Sequence, residues 1–106
     1  AFVAETEALL AKDVPENLGL HVIGHLGDGN LHVTTGIATP ERKREIQKLV
    51  YGLIRRYGGS ISAEHGIGLA KKPFLDHSRS AAEIATMRMI KSALDPNGIL
   101  NPGKVI

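Results

Sequence analysis

The chain has 106 residues, 42% hydrophobic and 23% charged, with a formal net charge of +2, which suits one domain around one modest core. It has no cysteine and no tryptophan, so disulfide frameworks, thiolate nucleophiles and cysteine-ligated zinc are excluded. The charge is small and interspersed with acids, and two Tyr and two Phe form no stacking platform, so nucleic acid is not an expected partner.

Residues 2 to about 12 carry Phe2, Val3, Leu9 and Leu10 on one stripe and predict a helix, broken by Val14-Pro15-Glu16-Asn17. The start AFVAETEALL lacks Met and a signal-peptide pattern, and reads as the inside of something longer. Leu18 to Ile37, rich in Val, Ile and Thr, reads as two strands around a glycine turn. Thr39-Pro40 is a helix start, with Thr as N-cap and Pro at the first position. Ile46, Leu49, Val50, Leu53 and Ile54 follow at helical spacing, and Gly58-Gly59 ends the helix. Arg42, Lys43, Arg44 and Lys48 make its solvated face. Ser60 to Ala63 is a candidate short strand and 64 to 72 a loop. Ser80 and Glu83 match a capping box for a helix to about Leu94, with Ile84, Met87, Ile90 and Leu94 inward and the two Met filling core. Asp95-Pro96-Asn97-Gly98 stops it in a turn, and a short tail contains Asn101-Pro102-Gly103. No apolar run reaches the length of a membrane span.

The stretch GHLGDGNLHV, residues 24–33, sets two histidines around a glycine-rich tetrad. With Asp28-Gly29 at the centre of a type I′ turn, Gly27 faces Asn30, Leu26 faces Leu31 and His25 faces His32. Directly opposed residues share a face with Cβ atoms about 4.5–5.5 Å apart, and two such imidazoles can ligate one divalent metal. They can equally be polar cross-strand neighbours. His21 lies on the same face about 13 Å along the strand and reads as structural or exposed. Asp28 and Asn30 could touch a ligand, but turn chemistry alone accounts for them.

Glu64-His65-Gly66-Ile67-Gly68 offers what the hairpin lacks. A carboxylate would complete a His₂Glu site with open positions for substrate. On a strand Glu64 and His65 would point to opposite faces; on an irregular loop they could converge. The glycine pair is not a dinucleotide fingerprint, because no helix with a third glycine follows. Alone, Glu64 could be a surface acid and His65 a hydrogen-bonded loop histidine.

Taken together, GHLGDGNLHV, GGSISAEHGIGLAKK and LDPNGILNPGKVI resemble, in matching order over residues 20–106, the C-terminal part of FAD-linked oxidases of the vanillyl-alcohol-oxidase type. That group includes D-lactate dehydrogenases, the glycolate oxidase flavin subunit and D-2-hydroxyglutarate dehydrogenase; the SAEHG form looks most like the last. The resemblance implies an α+β fold, an antiparallel sheet with helices on one face, as part of a ferredoxin-like cap domain. It implies that His25, His32 and Glu64 ligate a divalent metal, zinc by the nitrogen and oxygen donors, with manganese or iron open. It implies that His65 takes the proton from the substrate α-hydroxyl, that Lys71 binds substrate, and that Asn101 lies near the flavin. Where many relatives have Asn two residues past the second histidine, this chain has Thr34, a shorter partner for a substrate carboxylate, which puts substrate identity in doubt.

The implied reaction oxidises a D-2-hydroxy acid to the 2-oxo acid with hydride transfer to FAD, in the cytoplasm or at the inner face of a membrane. The implied partners are a small 2-hydroxy acid, the FAD domain of the same full-length protein and an electron acceptor the residues do not identify. The isolated chain is expected to be inactive, and its flavin-facing surface to drive self-association. The competing class is a free-standing metal-binding or metallohydrolase module on His25, His32 and Glu64.

Overall fold

In the computed structural model, which describes residues 1–16, 19–25, 27–36 and 39–106, the apolar stripes sort the chain into two compact units, residues 1–57 and 58–106. The sequence suggested one core. The difference arises because the stretch after Gly58 buries residues of its own, Ile61 and Leu75. Helices and an antiparallel strand pair make the fold α+β.

In the first unit, α1 spans Phe2–Asp13 and α2 spans Pro40–Arg56. Leu10, Val14, Ile46 and Val50 form its buried cluster, with Phe2, Leu20, Leu49 and Ile54 packed against it. Val14, expected only to break α1, is fully buried, and its N–H returns to the Leu10 carbonyl at 2.9 Å. Thr6, which no apolar pattern would select, is also fully buried. Its hydroxyl donates to the Phe2 carbonyl at 2.9 Å, which satisfies the one polar atom that burial would strand. Thr39 is the N-cap of α2 as expected, although its side chain makes no capping bond. On the solvated face Arg42 pairs with both Glu16 and Glu45.

Strands β1, Leu20–His25, and β2, Asn30–Thr35, pair antiparallel. Leu20 lies against the core. The ends set at Leu18 and Ile37, and the position of Leu26, lie outside the described residues.

The second unit contains a 3₁₀ turn, Lys72–His77, and helix α3, Ala81–Leu94. The capping box is formed: Glu83 N–H donates to Ser80 Oγ at 3.3 Å, and Ser80 N–H to Glu83 Oε2 at 2.8 Å. Residues 60–63 form no strand. Ser60 Oγ donates to the Ser62 carbonyl at 3.1 Å and accepts the Ser62 N–H at 3.3 Å, so the side chain offers this backbone a local alternative to a ladder. In α3 the expected inward stripe is only partly covered. Ile84 and Met87 are half-buried, while Ile90 and Leu94 are 55% and 76% exposed. A helical period marks a stripe that can be buried; an element must lie over it to bury it.

Beyond α3 the chain is tied back by a buried acid. Asp95 is 6% exposed and accepts the Ile99 and Leu100 N–H groups, both at 2.9 Å, together with the Lys91 ammonium. The Lys91 ammonium also donates to the Leu100 carbonyl. Lys91 foremost, and the two backbone donors, hold the Asp95 carboxyl below its ordinary 3.8. A depressed carboxylate stabilises the fold above its unfolded pKa, and that stabilisation is lost as pH falls through the folded value. Asp95→Asn should therefore lower the melting temperature at pH 7, with the gap to wild type narrowing below pH 3.8. A pH-independent gap in thermal melts would contradict this.

Candidate active site

The hairpin puts its histidines on one face but not in the expected register. His25 pairs with Asn30 and Ile23 with His32; His21 pairs with Thr34. The predicted His25–His32 pairing is thus corrected by two positions. Four residues, 26–29, separate the strands rather than the two of a type I′ turn. Asp28 Oδ1 accepts the Asn30 N–H at 3.3 Å, an Asx-type bond, and Gly29 adopts φ 67°. Because the slip is even, side-chain parity survives. His25 and His32 become diagonal neighbours, for which about 7–8 Å is usual. The same face carries His21, Ile23, Asn30 and Thr34, and the Thr34 hydroxyl donates across the pair to the His21 carbonyl at 3.3 Å.

Gly24 makes this pairing possible. A Cβ there would stand 2.0 Å from the Asn30 carbonyl oxygen. The glycine looks like turn punctuation in the sequence and is in fact a point of close backbone approach between the strands.

In the second unit, residues 62–68 form an irregular loop, as the glycines suggested. Gly66 and Gly68 take φ 71° and 56°, values that side chains rarely tolerate. Glu64 and His65 consequently come together instead of diverging, with Oε2 3.9 Å from Nε2. The imidazole is 77% exposed and the carboxylate 42%, so both remain accessible to a small molecule. Lys71 sends its ammonium to Ser62 Oγ at 3.0 Å, and Ser62 Oγ donates to the Gly66 carbonyl at 2.6 Å. The structure thus gives Lys71 a bond inside the loop. Ser62 was missed by sequence reasoning, since one serine beside a glycine-rich run carries no distinguishing signal.

Asn101 heads a turn of Asn101-Pro102-Gly103-Lys104. Lys104 N–H donates to the Asn101 carbonyl at 3.2 Å, Asn101 takes φ 48° and Gly103 φ 73°. The Asn101 side-chain oxygen accepts from the Lys104 ammonium at 3.1 Å. The tail is fastened to the loop region, by Val105 N–H to the Gly68 carbonyl at 3.0 Å and by the Lys72 ammonium to the Gly103 carbonyl at 2.8 Å. One unit therefore carries His65, Glu64 and Asn101 on cross-braced segments.

As a metal site the donors are incomplete. Among the described residues no group of three or more His, Cys, Asp or Glu stands close enough together to hold an ion. The hairpin alone brings three imidazoles, His21, His25 and His32, to one face, a nitrogen donor set without a carboxylate that suits a borderline cation such as zinc. Asp28 is committed to its turn, and Glu64 belongs to the other unit. Among the described residues no helix is long and apolar enough to cross a membrane.

The C-terminal domain of FAD linked oxidases matches residues 1–105. A D-2-hydroxyglutarate dehydrogenase of Stutzerimonas stutzeri is 41% identical over 99% of this chain and 24% of its own length. One of Xanthomonas citri pv. viticola is 46% identical over the same shares. The mitochondrial D-2-hydroxyglutarate dehydrogenase of Danio rerio is 41% identical over 92% of this chain and 20% of its own. The chain thus spans about a quarter or less of the length of these curated relatives. With the histidine hairpin, the Glu64-His65 loop and the Asn101 turn inside the matched span, the chain belongs to the family of C-terminal domains of FAD-linked oxidases.

Proposed function

We propose that this chain is the substrate-handling cap portion of a dehydrogenase that oxidises a D-2-hydroxy acid, of the 2-hydroxyglutarate, lactate or glycolate type, to the 2-oxo acid. The observation that carries this reading is the Glu64-His65 loop: an accessible imidazole beside a carboxylate, in a chain matching a flavin-linked family along nearly all its length. In its neutral form His65 accepts the α-hydroxyl proton as general base. The O–H electron pair forms the new C=O bond as the Cα–H bond breaks, and its electron pair leaves with the hydrogen as hydride. FAD, held by the remainder of the polypeptide, supplies the two-electron acceptor.

Glu64, with Oε2 3.9 Å from His65 Nε2, orients the imidazole. A divalent cation on the hairpin's His25 and His32 would supply Lewis acidity for the α-oxygen; the shared strand face of the two imidazoles supports that assignment. Thr34 keeps its hydroxyl on the His21 carbonyl and Lys71 its ammonium on Ser62 Oγ; Asn101 lies toward the flavin in this reading. The 106-residue chain alone is expected to be redox-inactive.

The test is anaerobic mixing of the full-length flavoprotein with D-2-hydroxyglutarate, D-lactate or glycolate. Bleaching of the oxidised flavin absorbance by at least one acid, and its slowing after dialysis against a chelator, are expected. Failure of every acid to bleach the flavin would overturn the reaction, and bleaching indifferent to the chelator would remove the metal.

A further inference from the structure

The Glu64-His65 loop has a neck, and one hydroxyl closes it. Ser62 Oγ donates to the Gly66 carbonyl at 2.6 Å, which closes a five-residue span with Glu64 and His65 at its tip. The same oxygen accepts from the Lys71 ammonium at 3.0 Å. Accepting from a cation polarises the O–H and strengthens it as a donor. Lys71 is itself fixed by its own N–H to the Ile67 carbonyl at 3.2 Å. On the other side the neck is anchored by Ile61, 4% exposed, whose N–H donates to Ser78 Oγ at 2.8 Å. Ala63, Glu64 and His65 at the tip are exposed, and the neck sets where their backbone stands.

We propose that Ser62, braced by Lys71, is a positioning residue for His65. This rests on His65 being the base of the reaction above. The serine touches no reacting atom; it sets where the imidazole stands. A base displaced by about 1 Å can lose on the order of 10²-fold in rate, whereas substrate affinity, governed by other groups, need not change.

The experiment uses the full-length flavoprotein and steady-state kinetics with whichever D-2-hydroxy acid bleaches its flavin. Ser62→Ala should lower kcat roughly tenfold, a fraction of the limit for a displaced base, with KM within about twofold. Ser62→Thr, which keeps the hydroxyl, should restore kcat. Lys71→Met leaves the hydroxyl without its brace and should lower kcat by less. The double variant Ser62→Ala/Lys71→Met should be no slower than Ser62→Ala, because two residues acting through one bond are non-additive.

A wild-type kcat in Ser62→Ala, a threonine variant as slow as the alanine one, or losses that merely follow lost FAD content would each overturn the proposal. If Ser62→Ala does not fold, Lys71→Met decides by the same criteria. Wild-type turnover in His65→Ala would instead overturn the base assignment, whatever the serine variants show.

Discussion

Replacing His65 with alanine in the full-length flavoprotein is expected to lower kcat by about 10²–10⁴-fold, the usual worth of a positioned general base. FAD content should be unchanged. The imidazole is 77% exposed on a glycine-shaped loop, so its loss leaves no cavity. Stability should shift by no more than about 0.5 kcal/mol, as for other surface positions. A small structural cost with a large kinetic one separates a chemical group from a packing group. The neighbouring carboxylate gives a second comparison. If Glu64 only orients the imidazole, Glu64→Gln should keep much of the rate; if it ligates a cation, that variant should lose metal on elemental analysis and rate together. Full turnover in His65→Ala would remove the general base and leave the loop a surface feature.

How much of this could be read before the structure depended on the range of the interaction. Helix α2 was legible because its buried residues, Ile46, Val50 and Leu53, follow a period set within the helix itself. The capping box at Ser80 and Glu83 is likewise a local bond between residues three apart. The hairpin was half legible. Side-chain parity, and so the shared face of His25 and His32, followed from alternation. The register did not, because it depended on Asp28 spending its carboxylate on the Asn30 N–H and on the strands closing over Gly24. Both are three-dimensional choices among turns that one dipeptide permits. The Glu64-His65 loop was legible as chemistry and not as geometry, since the neck bond joins a serine to a backbone carbonyl. Asp95 was invisible as a buried acid. Asp-Pro-Asn-Gly reads as a turn, and nothing local tells that its carboxylate would gather Lys91, Ile99 and Leu100.

Gly24→Ala should be the most damaging single-methyl change in the hairpin. The added Cβ would lie 2.0 Å from the Asn30 carbonyl oxygen and 3.0 Å from both the Asn30 carbonyl carbon and Leu31 Cα. All three are backbone atoms, so no rotamer change relieves the clash. The strands must part at the end where His25 pairs with Asn30. The cost combines overpacking with lost ladder bonds, about 2–4 kcal/mol. Gly27→Ala is the matched control, because nothing lies within 4 Å of a Cβ added there and the change should cost at most about 0.5 kcal/mol relative to wild type. Urea melts of the two variants in the full-length protein separate the effects, and equal midpoints would refute the close approach. The kinetic consequence follows from the same geometry. Parting the strands moves His25 relative to His32, so on the function proposed above Gly24→Ala should raise KM and reduce metal content. Should Gly24→Ala melt early yet keep the wild-type KM and metal content, the hairpin face would be a scaffold and not a wall of the site.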